Sequence, residues 1–106
     1  MGRKTKTAKF LHRNLDAIIE TCENSAKQWD KQSVPLPLLQ KCCSMAKIHE
    51  DSLPVGSERL KLAEAFNKTI DTMYNGCMQK AAEYETNNVS VELIKSSVET
   101  IKSRIN

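Results

Sequence analysis

Four cysteines and two histidines are the residues best suited to chemistry in this chain, and their spacing limits what they can do. Cys42, Cys43 and His49 form the densest set of metal-ligating types. Neighbouring positions on a helix diverge by about 100°, so Cys42 and Cys43 do not converge on one ion. Neither a C-x-x-C nor an H-E-x-x-H spacing occurs, and no metal site is expected. Cys22, Cys42 and Cys77 fall on the apolar stripes of predicted helices, where a free thiol behaves as a small hydrophobe. They are read as core thiols. The alternative for four cysteines is two disulfides in a secreted, cytokine-like domain. His12, inside a basic segment, and His49, closing a short helix, are expected at the surface or as helix caps.

The remaining catalytic patterns fail in the same way. A serine or cysteine nucleophile needs a base and an orienting group beside it, and no segment supplies the three. Three isolated glycines cannot form a phosphate-binding loop. Glu50 and Asp51 sit together in a loop with no concave scaffold implied around them. The chain is therefore read as non-enzymatic, with no cofactor.

The positive signal is charge. Arg3, Lys4, Lys6, Lys9 and Arg13 lie within residues 1–13 with no acid among them, while the rest of the chain carries eleven basic and thirteen acidic residues. The net charge of +3 is thus a basic arm on a mildly acidic body. Such an arm suits the phosphates of nucleic acid or anionic lipid. Its plainer reading is a solvated helix start, and no aromatic interleaving points to base stacking.

The elements that would position these residues are helices. Ala8, Leu11, Leu15, Ile18, Cys22, Ala26 and Trp29 recur at steps of three and four, which predicts a first helix from about Thr5 to Gln32 with Trp29 on its core stripe. Ser33-Val34-Pro35-Leu36-Pro37 stops it, because proline lacks a donor and disfavours helix in the residue before it. A short helix is predicted over about Leu38 to His49, and Pro54 and Gly56 mark the next break. Ser57 is an N-cap for a third helix running to about Glu85, whose wide apolar face includes Phe66, Ile70, Met73 and Cys77. Gly76 within it costs about 1 kcal/mol relative to alanine, and either lets another helix approach or bends this one. Ser90 caps a fourth helix that continues to the end of the sequence. Its seam, Val91, Ile94, Val98, Ile101 and Ile105, is a narrow heptad stripe of the coiled-coil type. No internal repeat is apparent.

These elements predict an all-α fold in one domain, residues 1–106, with residues 1–13 as its basic arm. Its expected form is an antiparallel helical bundle of two long and two shorter helices. The long helices, roughly 42 to 45 Å at about 1.5 Å per residue, outrun their short partners and would leave apolar surface for another protein or a second copy. The leading expectation is a non-catalytic protein–protein interaction module, an adaptor or subunit of a larger assembly. Its partner contacts are assigned to Val91, Ile94, Val98, Ile101 and Ile105, and anion contacts to Arg3, Lys4, Lys6, Lys9 and Arg13. The alternatives are a BAR-like membrane-associated helical dimer and a nucleic-acid-binding subunit acting through the arm. Residues 1–10 lack the apolar run of a signal peptide, and the expected compartment is the cytoplasm or nucleus.

Overall fold

A computed structural model describes residues 5–105. The chain is mostly helical, with four helices and a small two-stranded sheet: α1 (Lys6–Gln28), β1 (Ser33–Pro35), α2 (Leu36–Ala46), α3 (Glu58–Glu83), β2 (Asn88–Ser90) and α4 (Val91–Ser103). A single 3-10 turn, Glu50–Ser52, lies in the link between α2 and α3. No described helix is long and apolar enough to cross a membrane.

Local chemistry explains the helix ends. The Thr5, Ser57 and Ser90 hydroxyls accept from the backbone N–H of Ala8, Leu60 and Leu93, satisfying donors that the first turn leaves unpaired. Pro37 falls in the first turn of α2, where its missing N–H costs nothing, so that helix starts at Leu36, ahead of the expected Leu38. The helix α1 stops at Gln28, short of the expected Gln32, because Asp30 adopts a left-handed backbone (φ 51°). Glu85 does the same after α3 (φ 52°). The helix α4 ends at Ser103 and does not continue as its pattern suggests.

The strands were not anticipated. They pair antiparallel, with Val34 opposite Val89, Ser33 opposite Ser90 and Pro35 opposite Asn88. Both valines are buried while Pro35, Asn88 and Ser90 face solvent, so each strand anchors itself with a single apolar residue. Outside the pair, the Leu36 N–H donates to the Asn87 carbonyl at 2.8 Å and the Val91 N–H to the Gln32 carbonyl at 2.9 Å.

This pairing exposes an internal repeat where the sequence pattern predicts none. Val34 and Val89 are 55 residues apart. The same offset relates Asp30 to Glu85 and the bond Lys31 N–H to Ala26 O to the bond Thr86 N–H to Ala81 O. It also relates the core. All eleven buried residues of the second half, from Ala63 to Ile101, have a buried counterpart 55 positions earlier. Leu15 matches Ile70, Cys22 matches Cys77, Leu39 matches Ile94 and Cys43 matches Val98. The chain is two helix–strand–helix halves joined strand to strand.

One continuous core results. Leu15, Leu39, Ile70, Ile94 and Val98 are completely buried, each worth roughly 1.5–3 kcal/mol relative to exposure. Between the halves, α1 packs on α4 and α2 on α3, while within them α1 packs on α2 and α3 on α4. Polar groups tie the edges. The Asn67 side chain bonds both backbone groups of Ile48 and the Glu50 carboxylate, Lys47 pairs with Asp71, and Asn14 donates to the Ala46 carbonyl.

Two side-chain expectations are corrected, and one of two alternatives for Gly76 falls away. Trp29 is 69% exposed, because its helix ends one residue before it and the backbone turns the ring outward. His12 is buried and its Nε2 lies 2.9 Å from the Ile105 carbonyl, so it joins α1 to the end of α4. An added Cβ on Gly76 would meet nothing within 4 Å, so no other helix approaches it closely.

Candidate partner-binding groove

The predicted partner-binding seam is not a surface. Ile94 and Val98 are fully buried and Ile101 nearly so, while Val91 and Ile105 are half-buried against the same core. All five pack on this chain's own core: the short strand β2 feeds α4 back across α1 and α3, and its heptad stripe lines the interior, with Val91 and Ile105 at its partly exposed ends. Of the predicted anion-binding residues, Arg3 and Lys4 lie outside the described residues. Lys6, Lys9 and Arg13 are exposed on one side of α1, at a spacing of three and four.

The four thiols are brought together. Cys22, Cys42, Cys43 and Cys77 are all free and buried. Burial, reinforced by neighbouring thiols, pushes Cys22 and Cys43 up to about 12, and burial also raises Cys42 and Cys77. Thiolate, not thiol, is the nucleophile and ligand, so these groups are inert fillers. Among the described residues, no cluster of three or more histidine, cysteine or carboxylate side chains is placed to hold a metal ion.

Concavity lies between helices. A hollow of about 790 Å³ runs along the crevice between α3 and α4. Its floor holds Met73, Cys77, Leu93 and Ile101, and its walls carry small residues: Ala65, Thr69, Thr72, Gly76, Ser96, Ser97 and Thr100. A second hollow of about 560 Å³ shares Ala65, Thr69, Ile101 and Arg104 with the first and continues past Leu62 and Phe66 to the start of α1 at Thr5. Together they form a trough along α3 from Leu62 to Lys80, roughly 27 Å at about 1.5 Å per residue.

The trough asks little of an occupant in hydrogen bonds. The hydroxyls of Thr69, Thr72 and Thr100 already donate to the carbonyls of Ala65, Lys68 and Ser96 in their own helices. Its charges are of one sign: Lys68, Lys80 and Arg104 line it, with no aspartate or glutamate among the described lining residues. Lys80 also meets Glu83 at 3.7 Å and covers the Tyr84 ring at 5.7 Å, both exposed contacts of small energy.

The repeat supplies a comparison inside the same molecule. A hollow of about 380 Å³ lies between α1 and α2, lined by Asn14, Ala17, Thr21, Leu38, Lys41, Cys42, Met45 and Ala46. Moved along by the offset that relates Val34 to Val89, all eight become residues lining the α3–α4 crevice. The first half therefore holds a tighter version of the same groove. Thr21 stands where Gly76 is, and Met45 where Thr100 is, so larger side chains narrow it. The groove's clearest signal in the sequence is Gly76, a residue unfavourable in mid-helix with no turn to justify it.

Set against known proteins, the chain matches no protein-family profile, no curated protein and no solved structure.

Proposed function

We propose that this chain is a non-catalytic protein–protein interaction module that receives a helix of its partner in the trough between α3 and α4. The observation that carries this reading is the trough itself, an open, apolar-floored channel walled by small residues. Small side chains on both walls allow a partner helix to approach closely, and the helix-in-groove mode draws its affinity from such burial. The residues assigned to contact are Ala65, Thr69, Met73, Gly76, Leu93, Thr100 and Ile101. An adaptor or a subunit of a larger assembly would use this surface.

We also read the four helices as a bundle whose neighbours run antiparallel. His12, early in α1, meets Ile105 beyond α4, and Asn14 meets the last residue of α2, which supports this arrangement. Buried free thiols agree with a reducing compartment, the cytoplasm or nucleus. The reading as a curved membrane-associated dimer has less support, because the apolar stripes of α1 and α3 are covered within one chain.

A second reading keeps the basic arm. Lys6, Lys9 and Arg13 share one exposed side of α1, which favours contact with a polyanion such as nucleic acid. Replacing all three by glutamate and titrating a labelled oligonucleotide tests it; unchanged affinity removes it.

Gly76→Leu tests the leading reading. The added side chain has open space, and leaving glycine favours the helix by about 1 kcal/mol. The variant is expected to melt higher than the wild type and to lose the partners that wild type retains in a parallel affinity capture. Retention of all of them would move the docking surface elsewhere.

A further inference from the structure

Building on that reading, we infer that the occupant of the α3–α4 trough is an acidic amphipathic helix, a segment with a bulky apolar stripe flanked by aspartate or glutamate. Three observations select this chemistry. The lining carries Lys68, Lys80 and Arg104 and no acid among the described residues. All three cations are exposed, Lys80 within a solvent-screened pair with Glu83, so their charge is presented at the rim and not consumed in the core. The floor, by contrast, is apolar, and the wall hydroxyls of Thr69, Thr72 and Thr100 are satisfied within their own helices.

The dimensions set the segment's form. A trough of roughly 27 Å takes about five turns of helix, or 18 residues. Lys68 and Lys80 stand twelve positions apart on α3, roughly 18 Å, so the matching carboxylates sit three to four turns apart. The small walls at Ala65, Gly76 and Ser97 leave no knobs of their own, so the partner supplies them as Leu, Ile, Phe or Met. A basic or phosphate-rich partner fits less well. The first meets like charge, and the second finds no use for an apolar floor.

The probe is a pair of fluorescein-labelled 18-residue helical peptides with the same leucine stripe, one flanked by glutamate and one by lysine. They are titrated by fluorescence anisotropy into the full chain, the Gly76→Leu variant and a Lys68→Glu/Lys80→Glu/Arg104→Glu variant. The glutamate peptide is expected to bind the wild type at least about ten-fold more tightly at low salt, since rim charges set partner choice. The gap should close near 1 M salt, where the screening length is about 3 Å. The triple variant should reverse the preference, and Gly76→Leu should remove binding of either peptide. Equal or tighter binding of the lysine peptide, or no reversal in the triple variant, overturns the charge inference while leaving the trough as the docking site. Binding that ignores Gly76→Leu overturns the trough itself. Failure of both peptides up to roughly 1 mM, a binding free energy of about −4 kcal/mol, overturns both.

Discussion

Val34 and Val89 stand directly opposite each other across a strand pair of three residues each, at equivalent positions of the two halves. Both are buried, at 1% and 3% exposure. They join the two helix–strand–helix halves strand to strand, alongside the packing of α1 on α4 and of α2 on α3. A two-stranded ribbon this short has little stability of its own. It persists because its two inward side chains belong to the core of the helices around it.

The two valines should therefore be energetically equivalent. Truncating either to alanine removes two buried methyl groups and is expected to cost about 2 kcal/mol. Because they touch, the double variant should cost measurably less or more than the two single effects added together. Urea denaturation of the four species measures this. A cost near zero at one position with a full cost at the other would show that the halves do not share the joint equally.

Much of this fold is written in the stripes. Leu15, Ile18 and Cys22 in α1, Phe66, Ile70 and Met73 in α3, and Ile94 and Val98 in α4 sit where their three-and-four spacing puts them. The repeat is faint in the letters because most core residues change between the halves; among the buried positions only Ala8, Cys22, Ala26 and Val34 recur unchanged, as Ala63, Cys77, Ala81 and Val89. Leu11 answers to Phe66, His12 to Asn67 and Cys43 to Val98, pairs that share a place in the core with little chemical likeness. The strands escaped because one valine between polar neighbours is too short a run to show a period of two. Trp29 has the phase of its stripe, but phase has no meaning past the residue where a helix ends. The trough depends on the gap between α3 and α4, a tertiary distance with no local signature beyond Gly76.

The cysteine core gives the protein an alkaline limit. An unfolded thiol ionises near 9.0, whereas folding holds Cys22 and Cys43 neutral to about 12. Below 9.0 these groups bind their protons in both states and stability is independent of pH through them. Between about 9 and 12 the unfolded chain releases protons that the folded chain retains, so stability falls as pH rises through that window. Denaturation midpoints at pH 8, 10 and 11 should fall in that order, and Cys22→Ala with Cys43→Ala should flatten the decline. At pH 8 a thiol reagent should label the native protein slowly and all four cysteines once unfolded. Fast labelling of the native chain at neutral pH would contradict the burial of these groups.

Asn67 holds the link between the halves. Its amide donates to the Ile48 carbonyl at 2.9 Å and to the Glu50 carboxylate at 2.8 Å, and its oxygen accepts the Ile48 N–H at 2.8 Å. Asn67→Ala leaves part-buried backbone groups unpaired and should cost about 2–3 kcal/mol. Asn67→Asp keeps the acceptor for Ile48 but sets a second carboxylate against Glu50. It should be destabilising at neutral pH and be partly rescued by Glu50→Gln. Hydrogen exchange at Ile48 should quicken in both single variants. An unchanged exchange rate there would mean that the link is held by other contacts.

The helix α4 has one face buried in the core and another lining the trough, and substitutions two residues apart should separate their effects. Val98 is fully buried among α1 and α3, so Val98→Asp places an unpaired charge in the core and should lower stability by more than about 3 kcal/mol, enough to unfold much of the protein. Thr100 is exposed on the trough side, its hydroxyl bonded to Ser96 of its own helix, and Thr100→Glu should change stability by no more than about 0.5 kcal/mol. The same substitution puts an acid into a channel otherwise lined by cations alone, so it should weaken the glutamate-flanked peptide while the circular dichroism melt stays put. Two variants two residues apart would then dissociate folding from recognition. If Thr100→Glu instead unfolded the chain, the α3–α4 crevice would be a packed joint and not a receptor. If Val98→Asp folded normally, the heptad seam of α4 would face outward after all.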